Sequence, residues 1–265
     1  MFSKFQLAKK YIQYYLTSSN GKGHGVHSPF VFEFITQVLN DNREYYCYKQ
    51  IEQLRTRLKQ DSTVLTIEDF GAGSRVASHH QRSVSSIANS ALKPKKFSQL
   101  FFRIVDHYQP QTIVELGTSL GITSSYMASA KPGAQVITME GAQAVAAVAK
   151  NNFKAFGLQN IKVVEGNFDN TLPGVLQKLT QVDLAFVDGN HRKEPTLQYF
   201  EQLLAKSHDN TILIFDDIHW SADMEEAWHT IQQHPQVTLT IDLFFIGLVF
   251  FRKEQKVRQD FIVRF

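Results

Sequence analysis

The sequence of 265 residues contains one cysteine, Cys47. That excludes an intrachain disulfide framework and a cysteine-rich zinc site, and it argues against any mechanism built on a cysteine nucleophile. Long apolar runs are missing too: Leu243 to Phe251 is far too short to span a bilayer. Met1 to Thr17 lacks both the apolar core and the cleavage pattern of a secretory signal, so the cytoplasm is the expected location and no membrane partner is expected. The excess of one charge sign is small, with 28 Lys and Arg against 25 Asp and Glu and a formal charge of +3. A nucleic-acid footprint needs a concentrated basic face, which this balance does not supply. Internal repeats and low-complexity tracts are absent. Apolar residues are plentiful at 43%, including 21 phenylalanines, enough to bury one substantial core and contribute to an interface.

The most pointed local pattern is Thr112-Ile-Val-Glu115-Leu-Gly117-Thr-Ser-Leu-Gly121-Ile-Thr, an apolar run that ends in an acid and breaks into a glycine-spaced turn. It reads as a buried strand, a ligand-facing turn and a helix over Ile122 to Ala130. Gly117 and Gly121 allow close backbone approach, and Thr118 or Ser119 is placed to cap the helix. Glu140 follows Gly121 by nineteen residues at the end of a second strand, Gln135 to Glu140, where a ribose-binding carboxylate belongs in a Rossmann-like βαβ unit. Dinucleotide sites use G-x-G-x-x-G to seat a pyrophosphate. Here Glu115 precedes a G-x-x-x-G turn, and an acid there would repel a pyrophosphate and suits a cationic ligand.

The alternation continues. Ala142 to Phe156 is helical and stopped by Gly157, Ile161 to Val164 is a strand, and Leu172 to Leu179 is a short helix. Val182 to Val187 is a strand ending at Asp188. Helix Pro195 to Ala205 precedes strand Thr211 to Phe215, which ends at Asp216-Asp217. After helix Ala222 to Gln233, strands Val237 to Leu243 and Ile246 to Phe251 are joined too tightly for a crossover and must be antiparallel, with Gly247 assigned to the turn.

From Phe97 to Lys253 these motifs resemble the class I S-adenosylmethionine-dependent methyltransferases. The resemblance implies an α/β, Rossmann-like sheet, mostly parallel with a carboxyl-terminal antiparallel hairpin. It further implies that Glu115, Gly117, Thr118, Ser119 and Gly121 line the methionine half of the cofactor and that Glu140 takes the ribose hydroxyls. Asn167, Phe168 or Asp169 would hold the adenine.

Carboxylates at the carboxyl ends of adjacent strands repel one another unless protons, cations or a metal offset the charge. Phe-Val-Asp188-Gly-Asn-His191 followed by Ile-Phe-Asp216-Asp217-Ile-His219 resembles the metal-dependent O-methyltransferases, the macrocin and sugar branch more than the catechol type. The catechol type commonly has Asn as third ligand, so Asp217 departs from it. That resemblance implies Mg²⁺ or a similar ion on Asp188, Asp216 and Asp217, with Asp188 also bordering the cofactor, and a small hydroxylated acceptor. His219 is the first candidate for the general base and His191 the second. Two other readings stand beside this one: N-methylation of a small amine or nucleobase, and a non-catalytic cofactor-binding protein. The Asn/Asp-Pro-Pro-aromatic motif of many base N-methyltransferases is absent after the fourth strand.

Residues 1–96 read as an amino-terminal helical extension or lid and residues 97–265 as the methyltransferase domain. Within the extension, Met1 to Thr17 is an amphipathic helix, and Gly21 to Phe30 is a glycine-punctuated loop carrying His24 and His27. Glu68-Asp-Phe-Gly71-Ala-Gly73-Ser-Arg75 imitates the cofactor motif but has no strand-helix sequel. The basic, serine-rich stretch from Arg75 to Lys96 would cover the cofactor, receive an anionic acceptor or simply face solvent. The tail Gln255 to Phe265 is a terminal strand or the contact of a homodimer.

Overall fold

The computed structural model describes residues 1–69 and 78–265. By packing, the chain divides into two compact units, one of Met1–Asn40 with Val175–Phe265 and one of Asp41–Gly174. In chain order, the first unit opens with helices α1 (Lys4–Thr17) and α2 (Pro29–Glu33), the latter running into a π-helical turn, Phe34–Leu39. A capping box starts α1: Ser3 and Gln6 exchange side-chain and backbone hydrogen bonds and satisfy two of the amides that a helix start leaves over.

The second unit holds α3 (Tyr48–Gln60), a hairpin of β1 (Val64–Asp69) and β2 (Ser78–Ser83), and α4 (Val84–Ala91). It continues through α5 (Lys95–Tyr108), β3 (Thr112–Leu116), α6 (Ile122–Ala130), β4 (Gln135–Glu140), α7 (Gln143–Ala155), β5 (Ile161–Glu165) and α8 (Phe168–Gln177). β3, β4 and β5 lie side by side and parallel. α7 stops where Gly157 adopts φ +69°, as its sequence position requires.

Back in the first unit come β6 (Leu184–Val187), α9 (Lys193–Leu204), β7 (Ile212–Asp216), α10 (Ala222–Gln232), β8 (Leu239–Asp242), β9 (Ile246–Phe250) and β10 (Gln259–Ile262). Their order is β10-β8-β9-β7-β6; β9 runs antiparallel to β7 and β8, and the other pairs are parallel. β3 to β10 make up an eight-stranded mixed sheet of the expected Rossmann-like class, with its antiparallel hairpin.

The tail takes the strand alternative, as β10 beside β8. Besides its helices, the region before residue 97 contains the β1–β2 hairpin, which the sequence reading did not anticipate. Gly71, Gly73 and Arg75 lie outside the described residues. Gly247 needs correcting: it sits inside β9, and the turn is made by Leu243, Phe244 at φ +70° and Phe245. A Cβ on Gly247 would come within 2.5 Å of the Trp228 ring, so close packing of α10 on the strand selects glycine there. Among the described residues, no helix is long and apolar enough to cross a membrane.

Candidate active site

In the Asp41–Gly174 unit, the ends of β3, β4 and β5 gather the expected cofactor residues. The turn after β3 is tied to β4: the Gly117 and Thr118 amides both donate to the Met139 carbonyl at 3.0 Å. The Ser119 amide donates to Glu140 Oε2 at 2.8 Å. Glu140 Oε1 accepts the Ala142 amide at 3.0 Å, so one carboxylate fixes the turn after β3 and the start of α7 together. From β5, Gly166 at φ +127° donates its amide to the Glu140 carbonyl. Asn167 Oδ1 accepts the Asp169 amide at 2.9 Å, placing Phe168 and Asp169 in the first turn of α8.

Two expectations for this turn need correction. Neither Thr118 nor Ser119 caps α6: Gly121 is the capping residue at φ +83°, with no side-chain cap. Thr118 Oγ1 instead meets Thr138 Oγ1 at 2.6 Å, and Ser119 Oγ is buried with no hydrogen-bond partner. Glu115 does not line a ligand surface. It is completely buried, and its Oε2 accepts from Ser124 Oγ and, at 2.6 Å, from Thr138 Oγ1. Through these two hydroxyls it ties β3 to β4 and α6 from behind the turn. Thr138 and Ser124 escaped the sequence reading. The signal for Thr138 was a hydroxyl in the middle of the apolar run Gln135 to Glu140.

In the other unit, β6 and β7 end at the acids. Asp188, His191 and Asp216 each offer a ligand atom within 4.8 Å of the others, and Asp216 is buried. The third member is thus His191 where Asp217 was expected. Asp217 takes a left-handed conformation at φ +53°, its amide donating to the Phe245 carbonyl at 2.7 Å. It keeps one carboxylate oxygen 4.0 Å from His191 Nδ1, while His191 Nε2 lies 3.7 Å from Asp188 Oδ1. Asn190 at φ +68° and His191 at φ +40° are left-handed as well. Backbone strain of roughly 1–3 kcal/mol per such residue persists only where surrounding structure over-determines it. Here Asn190 is held on both sides, by Tyr199 OH at 3.2 Å and Arg192 Nε at 2.9 Å.

His219 is not placed as a general base. Nδ1 lies 3.0 Å from Glu225 Oε1 and Nε2 lies 2.8 Å from Asp242 Oδ2, so both ring nitrogens face carboxylates. Burial by itself disfavours the imidazolium, yet the two carboxylates outweigh it and hold the pKa above the ordinary histidine value. With both ring nitrogens engaged by carboxylates, neither faces a substrate. The sequence reading missed Asp242 and Glu225; an acid closing the apolar strand Val237 to Leu243 was the available signal.

A profile of the methyltransferase domain matches residues 114–218, the stretch that runs from the glycine turn through both sets of strand-end acids. This stretch is similar to a methyltransferase domain. Solved structures share the fold of the chain. An O-methyltransferase from Bacillus cereus, in complex with S-adenosylhomocysteine, is 18% identical with a TM-score of 0.54 over 83% of this chain and 97% of its own. The O-methyltransferase TomG from Streptomyces achromogenes, in complex with S-adenosylmethionine, is 15% identical with a TM-score of 0.55 over 84% and 95%. The methyltransferase PaMTH1 from Podospora anserina, bound to S-adenosylhomocysteine, is 14% identical with a TM-score of 0.55 over 80% and 99%. No curated protein matches the chain.

Proposed function

We propose that the methyltransferase moves the methyl group of S-adenosylmethionine onto a hydroxyl oxygen of a small acceptor. The observation that carries this reading is the convergence of Asp188, His191 and Asp216 at the ends of β6 and β7. The cofactor is assigned to the turn Gly117–Gly121, Glu140 and the segment from Asn167 to Asp169. Each oxygen of Glu140 accepts one backbone amide, which fixes the carboxylate at the end of β4 beside the turn.

Two carboxylates and one imidazole are a donor set that fits a divalent transition ion such as Mn²⁺ better than Mg²⁺, which prefers oxygen ligands alone. Asp188, His191 and Asp216 would hold it, and when bound it lowers the pKa of a coordinated hydroxyl and fixes its direction. The acceptor oxygen forms its bond to the methyl carbon as the carbon–sulfur bond breaks, the sulfur leaves as a neutral thioether, and Asp217 takes the hydroxyl proton. Positioning supplies most of the acceleration in such an in-line displacement.

The flanking of His191 by Asp188 and Asp217 favours a second reading, in which His191 acts as the base with no ion. Calorimetric titration separates the two. Asp188→Ala is expected to abolish transfer to sugar and catechol hydroxyls, keep S-adenosylhomocysteine affinity near that of the native protein, and remove the heat of Mn²⁺ binding. Native protein that transfers at full rate in EDTA supports the base reading. Failure of the native protein to bind S-adenosylhomocysteine overturns both.

A further inference from the structure

The helix α1 is apolar on two opposite faces. Its inner face is fastened: Tyr14 is buried with its hydroxyl on the Val263 carbonyl, and the Tyr11 ring meets Phe244 edge-on at 5.0 Å. On the same face, Lys10 pairs with Glu225 at 2.9 Å. At 100° per residue, Phe5, Ile12 and Leu16 fall together on the far side of the helix. They are 80%, 60% and 75% exposed, so this stripe is presented to its surroundings while the opposite face anchors the helix.

The charges around the stripe are of one sign. Lys4 and Lys9 lie on either side of it and are exposed. At the carboxyl end, the Arg264 guanidinium lies 3.9 Å from the ring centroid of Tyr15, which is itself half exposed. The first acid in the chain is Glu33, so α1 carries no carboxylate. A second copy of this helix laid on the stripe would bring lysines against lysines with nothing to offset them. An apolar stripe rimmed by cations fits a surface that is apolar inside and anionic at its face.

We infer that α1 is an interfacial helix by which the methyltransferase docks on anionic lipid bilayers, with Phe5, Ile12 and Leu16 entering the headgroup boundary and Lys4, Lys9 and Arg264 meeting the lipid charges. The helix lies on the membrane and does not span it. This revises the expectation that no membrane partner exists, and it stands independently of the transfer chemistry.

Co-sedimentation of the full chain with vesicles tests it, using equal parts phosphatidylglycerol and phosphatidylcholine in one set and phosphatidylcholine alone in the other. Binding to the anionic set alone, weakened by salt, is expected. Ile12→Glu with Leu16→Glu should abolish it while leaving the melting midpoint near native, since both side chains are exposed. Lys4→Gln and Lys9→Gln provide a milder second pair, each expected to weaken binding about fivefold. Absence of the protein from the anionic pellet overturns the inference. So does light scattering without lipid that gives a dimer for the native chain and a monomer for the double glutamate variant, because a second copy would then cover the stripe.

Discussion

His219 Nε2 and Asp242 Oδ2 lie 2.8 Å apart, and the other oxygen of Asp242 accepts the Phe244 amide at 2.7 Å. One carboxylate therefore joins the loop after β7 to the turn between β8 and β9. The Phe245 carbonyl in that turn accepts the Asp217 amide, and the His219 ring stacks on Phe244. Asp216 and Asp217 thus hang from a loop secured at His219, three and two residues further along the chain.

The pair sets a pH dependence of stability whose sign follows from the raised pKa of His219. A raised folded-state value means that the contribution is fully present below the unfolded histidine pKa of about 6.5 and is lost as pH rises through the folded value. Comparing thermal midpoints of native protein and His219→Asn across pH should show the largest native advantage near pH 6. An advantage of about 1.5–3 kcal/mol is expected there, the usual size for hydrogen bonds to charged groups. It should shrink toward alkaline pH. An advantage that grows with rising pH contradicts the assignment of His219 as a held imidazolium.

Gly247→Ala should lower stability by roughly 1–3 kcal/mol, the range for forcing an extra methyl into a packed interior. The new Cβ would fall 2.5 to 2.9 Å from three atoms of the Trp228 ring, which is buried under α10. Urea unfolding should show an earlier midpoint with an unchanged slope, and the near-ultraviolet tryptophan signal should change. A native midpoint would mean that Trp228 gives way at no cost.

Gly247 also marks where the sequence stops being readable. Periodicity exposed the βαβ order from Thr112 to Phe250, because each buried strand is a short apolar run and each crossover helix repeats its apolar positions. Strand-end acids were legible for the same reason, since Asp188 and Asp216 interrupt apolar runs where open α/β sheets bind ligands. What could not be read was side-chain direction. His191 and Asp217 both take left-handed angles, and no local pattern announces φ +40° at a histidine. The fates of Glu115 and His219 depended on Thr138, Ser124, Asp242 and Glu225, partners between 6 and 23 residues away. The β1–β2 hairpin was hidden because Ser78 to Ser83 has no apolar alternation.

Cys47 should be silent to thiol reagents in the folded protein. Burial raises its pKa to about 11, and it packs against Tyr48 and Ile51 in an apolar cluster. The thiolate is the reactive form, so both access and ionisation oppose the reaction. Titration with a chromogenic disulfide reagent should detect no thiol on the minute scale in buffer and one thiol per chain in denaturant. Rapid reaction under native conditions would show that the α3 region opens locally.

Gly121→Ala tests how tightly the turn after β3 is coupled to its support. Two effects add at this position: a Cβ at φ +83°, which costs about 1–2 kcal/mol for a residue in the left-handed region, and an approach of 2.6 Å to the Phe153 ring on α7. The backbone cost is paid locally, whereas the ring contact pushes the turn away from α7. The variant should melt lower and bind S-adenosylhomocysteine at least tenfold more weakly. Phe153→Leu, combined with Gly121→Ala, separates the two effects. If the ring contact displaces the turn, the double variant should recover affinity relative to Gly121→Ala alone, giving a favourable coupling energy in the cycle. If the backbone angle alone is responsible, the two changes should be additive in both affinity and stability, since leucine at 153 does nothing for a strained φ at 121.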